Sequence, residues 1–164
     1  MVSIIRKNSI RRNPAFSLAF STTALFVAAV SGYAQEKDGL SKTDRLLIQA
    51  QKICPVMGKD LTKMGGPVKA EVGGATVFLC CKGCFGQPLN KEHWSKVQAN
   101  IAAAQGLCPI FKKPLGDHAA PVVVNHRLLF VCCKPCTKKV EADPSGSIAF
   151  VNEELAKKFA EPRR

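Results

Sequence analysis

The sequence predicts an α+β chain of two small cysteine-rich modules, each a ββα-like unit of β-hairpin plus cysteine cluster, joined by helices. Three features predict it. The pattern Cys-Cys-x-x-Cys occurs twice, as Cys80, Cys81, Cys84 and as Cys132, Cys133, Cys136, each time at the end of an apolar run. A Cys-Pro precedes each, at Cys54-Pro55 and Cys108-Pro109, so the eight cysteines divide into two sets of four. The segments between also repeat: Val77-Phe78-Leu79 falls on Leu129-Phe130-Val131, and Val56-Met57 falls on Ile110-Phe111.

The elements follow in chain order. Ser41-x-x-Asp44 reads as a capping box before Leu46, Leu47, Ala50 and Ile53, which predicts a helix of about ten residues. Gly73-Gly74 is a two-residue turn signal and predicts a hairpin of 68–72 with 75–80. Asn90 caps a second helix on which Trp94, Val97, Ile101 and Ala104 recur at helical spacing, stopping at Gly106. Asn125-His126 occupies the place of the glycine pair, because Asn tolerates positive φ, and predicts a second hairpin of 121–124 with 127–132. A last helix is expected from about Asn152, with Glu153 and Glu154 in its first turn, ending before Pro162. The expected organisation is a leader at 1–34 and an N-terminal segment with a short helix at 35–53. The first cysteine module takes 54–89, a linker helix 90–107, the second module 108–150 and a C-terminal helix 151–164.

The leader is read from Arg6, Lys7, Arg11 and Arg12, followed by an uncharged run to Gln35 that is most apolar at Ala24–Val30. Small residues at Gly32 and Ala34 suit cleavage after Ala34, leaving no stable membrane span. The expected location is periplasmic or secreted, where disulfides persist and a protein partner at the cell envelope is within reach. Of the formal charge of +12, the leader holds four cations, leaving +8 on the remainder. That balance alone suggests polyanions. The lysines are scattered, however, and the chain has a single Trp and a single Tyr to stack on bases, so no nucleic-acid partner is expected. No Ser-His-acid set, phosphate-cradling glycine loop or carboxylate pair near a cysteine is present, and no enzyme activity is expected.

Close-set thiols at the mouth of a hairpin either bind a soft ion or cross-link. Zinc and copper(I) both favour thiolate ligands, and cysteines three and four residues apart form a chelate. Successive strand residues face opposite sides, so Cys80 and Cys81 both point inward only if the strand ends between them. The expected ligands are Cys54, Cys80 and Cys84 in one centre and Cys108, Cys132 and Cys136 in the other. Cys81 and Cys133 are read as fourth ligands or resolving thiols. The alternative is a disulfide-stapled interaction protein of the cell surface or periplasm without bound metal, as an even cysteine count in an exported chain allows. A thioredoxin-like Cys-x-x-Cys is disfavoured, because its usual βαβ context is lacking.

In Cys-Pro, hairpin and apolar-aromatic-apolar-Cys followed four positions later by Cys, residues 50–150 resemble tandem heavy-metal-binding modules of the YHS and TRASH type. Val77-Phe78-Leu79-Cys80 to Cys84 and Leu129-Phe130-Val131-Cys132 to Cys136 carry the resemblance, with Val140 and Pro144 as a family-like tail. The resemblance implies metal sensing, trafficking or storage. The chain departs from it at Met57 and Phe111, where such modules often carry a further cysteine. Met57 has a thioether suited to copper(I), although core packing is its commoner use, and Phe111 has no ligand atom. His93 is read as a surface or packing residue, His126 as a hairpin tip far from the sulfurs, and His118 as a candidate for supporting the second centre.

Overall fold

The computed structural model describes residues 39–63 and 65–160. The expected leader, 1–34, lies outside the described residues. Among the described residues, four α-helices and two antiparallel hairpins form an α+β fold.

Helix α1 (Lys42–Gln51) starts on the expected capping box: Asp44 N–H donates to Ser41 Oγ, and Ser41 N–H donates to the Asp44 carboxylate, both at 3.1 Å. The same carboxylate takes the Lys69 ammonium at 2.9 Å, tying the helix start to strand β1 (Val68–Val72). Strand β1 pairs with β2 (Ala75–Leu79) in the register Val68↔Leu79 to Val72↔Ala75, and β3 (Ala120–Val124) pairs with β4 (Arg127–Val131) as Ala120↔Val131 to Val124↔Arg127. Both tips are two-residue turns with left-handed backbone: φ is +57° and +80° at Gly73-Gly74, and +45° and +59° at Asn125-His126. The substitution of Asn-His for Gly-Gly therefore preserves the turn.

Helix α2 (Lys91–Gln105) begins where Asn90 Oδ1 accepts the N–H groups of Glu92 and His93, and it ends at Gly106 with φ +70°. Helix α3 (Lys134–Ala142) follows the second cysteine motif, with Pro135 in its first turn. The first motif makes only a 3₁₀ turn over Lys82–Cys84. Gly83, Gly86 and Pro88 explain the difference, since none of them sustains a helix interior.

Helix α4 (Pro144–Ala160) starts eight residues before the expected Asn152, so the boundary drawn at 150 runs through a helix. Asp143 sets the earlier start: its Oδ1 accepts the Gly146 N–H at 2.9 Å, and Pro144 fills the first helical position, where no N–H is needed. Ser145-Gly146-Ser147 is poor helix-forming sequence and imitates a loop. The second hairpin strands also end one residue earlier than expected, at Leu79 and Val131, which leaves Cys80 and Cys132 just past the ladders.

The modules are not packed independently. One core surrounds Leu61, Val77, Phe78 and Leu79, and a second surrounds Val131, Val140, Val151 and Leu155. A third joins Ala75 of β2, Val97 and Ile101 of α2, and Leu128 and Phe130 of β4. Thr76 N–H donates to His126 C=O at 2.7 Å across the hairpins, and Ala50 of α1 is buried in the second module's core. Arg127, at the start of β4, is buried and donates to Asn152 Oδ1 of α4 at 2.9 Å.

One contact recurs in both modules and sets the cysteines in place. Gln51, the last residue of α1, donates through Nε2 to Phe78 C=O at 2.6 Å and to Ile53 C=O at 2.9 Å, while its Oε1 accepts the Phe78 N–H at 2.9 Å. Gln105, the last of α2, does the same with Phe130 and Leu107 at the same distances. Each glutamine thus docks a helix end on the next-to-last residue of the strand that leads into Cys-Cys. Replacing Gln51 or Gln105 with Ala leaves a buried backbone N–H and C=O unpaired and is expected to lower unfolding free energy by roughly 2–4 kcal/mol, read by urea denaturation.

Candidate metal centres

Each centre is built from three short pieces of chain. The Cys-Pro turn comes first: Cys54 N–H donates to Lys59 C=O, and Gly58 N–H returns to Cys54 C=O at 2.9 Å. The second module repeats this with Cys108 N–H to Lys113 C=O and Lys112 N–H to Cys108 C=O, both at 2.8 Å. The turn needs a left-handed residue at its end, Gly58 at φ +66° and Lys112 at φ +54°. Gly58 is required for a further reason: a Cβ there would stand 2.5 Å from the His93 ring. The second piece is the end of the hairpin, bringing Cys80 and Cys132. The third is the following turn, closed by Cys84 N–H to Cys81 C=O and by Cys136 N–H to Cys133 C=O.

The sulfurs of Cys54, Cys80 and Cys84 all lie within 4.8 Å of one another, as do those of Cys108, Cys132 and Cys136. Cys84 Sγ is the hub of the first set, 3.8 Å from Cys54, 3.7 Å from Cys80 and 3.8 Å from Cys81. Four thiolates around one ion at a zinc–sulfur distance of ~2.3 Å stand about 3.8 Å apart, so these spacings suit a shared ion. In the second set Cys136 lies 3.8 Å from Cys132 but 2.9 Å from Cys133, and Cys132 lies 3.9 Å from Cys133. The first trio is wholly buried, and in the second Cys132 is partly open. Cys81 and Cys133 sit at the solvent edge of their sets, and none of the eight cysteines is bridged.

The electrostatics repeat as faithfully as the geometry. Burial pushes the Cys54 thiol up, but backbone N–H groups of Met57, Cys80 and Val56 aim at its sulfur and bring it below the ordinary thiol value. Cys108 is lowered in the same way against burial, by the N–H groups of Phe111, Cys132 and Ile110. Such N–H···S contacts favour thiolate, the form that binds metal. Burial, then the surrounding thiols, raises Cys84 and Cys136 well above the ordinary value. Cys81 and Cys133 are lowered, chiefly by hydrogen bonds from Cys84 and Cys136 respectively.

The remaining candidates fall outside the sulfur sets. Met57 faces Cys54 with its backbone N–H, while its side chain is 51% exposed. Phe111 is 50% exposed, with the Lys139 ammonium 5.2 Å from its ring centre. His93 Nδ1 lies 3.0 Å from Val56 C=O, so His93 props the first Cys-Pro turn rather than touching the sulfurs. His126 is at the hairpin tip, 3.7 Å from Glu71, and His118 belongs to neither sulfur group. A cavity of about 620 Å³ opens beside Asp44, Lys69, His126 and Arg127, and no cysteine lines it. Gln51 and Gln105 were not recognised as site-building residues in the sequence, although the repeat Gln-x-x-Cys-Pro is in plain register with the cysteines.

No family model, curated protein or solved structure matches the chain. Among the described residues, no helix is long and apolar enough to cross a membrane. What the geometry establishes is two cysteine clusters able to hold a metal ion.

The thiol environments predict an order of reaction. In the metal-free chain, iodoacetamide is expected to modify Cys81 and Cys133 before Cys84 and Cys136, as read by peptide mass spectrometry. Thiolate is the reactive form. The rate at Cys81 therefore rises through a midpoint below the ordinary thiol value, and that at Cys84 through one above it.

Proposed function

We propose that this chain binds a soft transition metal, zinc or copper(I), at two thiolate centres, and that it is a binding protein rather than an enzyme. The observation that carries the reading is the clustering of three sulfurs within 4.8 Å at two separate places, each assembled from parts distant in sequence. Cys54, Cys80 and Cys84 hold one ion and Cys108, Cys132 and Cys136 the other, with Cys81 and Cys133 standing by at the rims. The N–H groups aimed at Cys54 and Cys108 support it, because they stabilise the charge a ligand thiolate must carry. The disulfide-stapled alternative pairs sulfurs two by two, whereas Cys84 is nearly equidistant from three.

The likeness to tandem YHS and TRASH modules supports metal sensing, trafficking or storage as the role. The basic stretch and uncharged run before Gln35 support export as the route. The ligand chemistry favours soft ions over magnesium or calcium, which take oxygen donors.

Native mass spectrometry of the reduced chain supplied with zinc is the test. About two ions per chain are expected, falling to about one in Cys84→Ser and about one in Cys136→Ser. The same count in Cys84→Ser as in the unaltered chain, or no uptake by the reduced chain, contradicts the reading.

A further inference from the structure

The two centres share a plan but differ at one edge. Cys133 and Cys136 approach to 2.9 Å, whereas the corresponding Cys81 and Cys84 stand 3.8 Å apart. At a metal–sulfur distance of ~2.3 Å, sulfurs at that closer spacing subtend about 80° at a shared ion, far from tetrahedral. Cys133 is therefore poorly placed as a fourth ligand, and is well placed against its neighbour: a disulfide needs ~2.05 Å, a closure of less than about 1 Å. The local backbone accounts for the difference. Cys133 is the residue before a nine-residue helix, with Pro135 in the first turn and Cys136 facing inward from that same turn. Cys81 opens only a three-residue 3₁₀ turn containing Gly83. Exposure is also divided, since Cys133 is partly open to solvent and Cys136 is fully buried.

We infer that Cys133 and Cys136 form a redox-active dithiol that exchanges with low-molecular-weight disulfides, and that its closure empties the second centre while the first keeps its ion. The release clause rests on the metal-binding reading, whereas the dithiol stands without it. The accessible Cys133 thiolate attacks one sulfur of a small disulfide such as glutathione disulfide, forming a mixed disulfide and expelling one thiolate. Cys136 gives up its proton and attacks Cys133, forming the Cys133–Cys136 bond and expelling the second thiolate. Two electrons pass from the cysteine pair to the reagent, which leaves as two thiols. Bridged, Cys136 no longer serves as hub, and Cys108 and Cys132 alone hold an ion weakly. Two thiols of the reducing partner reverse the sequence.

The test uses the full chain, reduced, in zinc-loaded and metal-free forms, stepped through glutathione buffers from reducing to oxidising. Tandem mass spectrometry after differential alkylation identifies bridged pairs, and a chromogenic chelator counts released zinc. Cys133–Cys136 is expected to bridge in more reducing buffer than any other pair, in both forms. About one of two ions is released with it and taken up again on reduction. Cys133→Ser, checked for fold by circular dichroism, should keep both ions at that buffer, where the unaltered chain gives up about one. Cys81–Cys84 bridging as readily as Cys133–Cys136 overturns the dithiol, and retention of both ions by the bridged chain overturns the release. Failure of the reduced chain to take up zinc sinks the metal-binding reading and the release together; the order of bridging in the metal-free form still decides the dithiol.

Discussion

A buried glutamine at the end of the helix before each cysteine module holds the rest of the structure in register. Gln51 and Gln105 present both faces of an amide to the N–H and C=O of one strand residue, Phe78 or Phe130, as a neighbouring strand would. The helix therefore ends at a fixed height on the hairpin. Three residues later the Cys-Pro turn begins, and two residues after the clamped phenylalanine the Cys-Cys begins. Sulfurs distant in sequence meet because both runs are counted from the same buried amide. An unpaired amide in that position costs several hydrogen bonds' desolvation, so the register is enforced by the penalty of the alternatives as much as by the contact itself.

Small modules of this size bury little apolar surface and commonly rely on a metal or disulfides. Here the hairpins and α2 share a core through Ala75, Val97, Ile101, Leu128 and Phe130, which gives the sulfur clusters a common scaffold. The duplication has nonetheless diverged where it matters chemically. Gly83 in the first motif and Pro135 in the second send the chain into a 3₁₀ turn and a helix respectively. The spacing of the rim cysteine from its hub follows from that choice.

Much of the fold was legible because its signals are local. The capping box at Ser41 and Asp44, the Asn90 cap, the Gly106 stop and both turn pairs rest on interactions within a few residues, and each recurs in the structure. The start of α4 was hidden because Ser145-Gly146-Ser147 has weak helix propensity, and Pro144 reads in the sequence only as part of a family-like tail. Among the site residues, the cysteine trios were legible from spacing within a repeated frame. The glutamines were not recognised, because a polar residue on a helix end looks solvated until the strand that buries it is in place. The unequal rims were equally hidden, since a difference of about 1 Å arises from backbone geometry that Cys-x-x-Cys spacing does not encode.

The central claim is that these sulfurs are metal ligands, and X-ray absorption at the zinc edge of the reduced, zinc-loaded chain addresses it most directly. The account predicts a first shell of three to four sulfur atoms at ~2.3 Å. A shell dominated by nitrogen or oxygen would place the ion elsewhere on the chain and contradict the account.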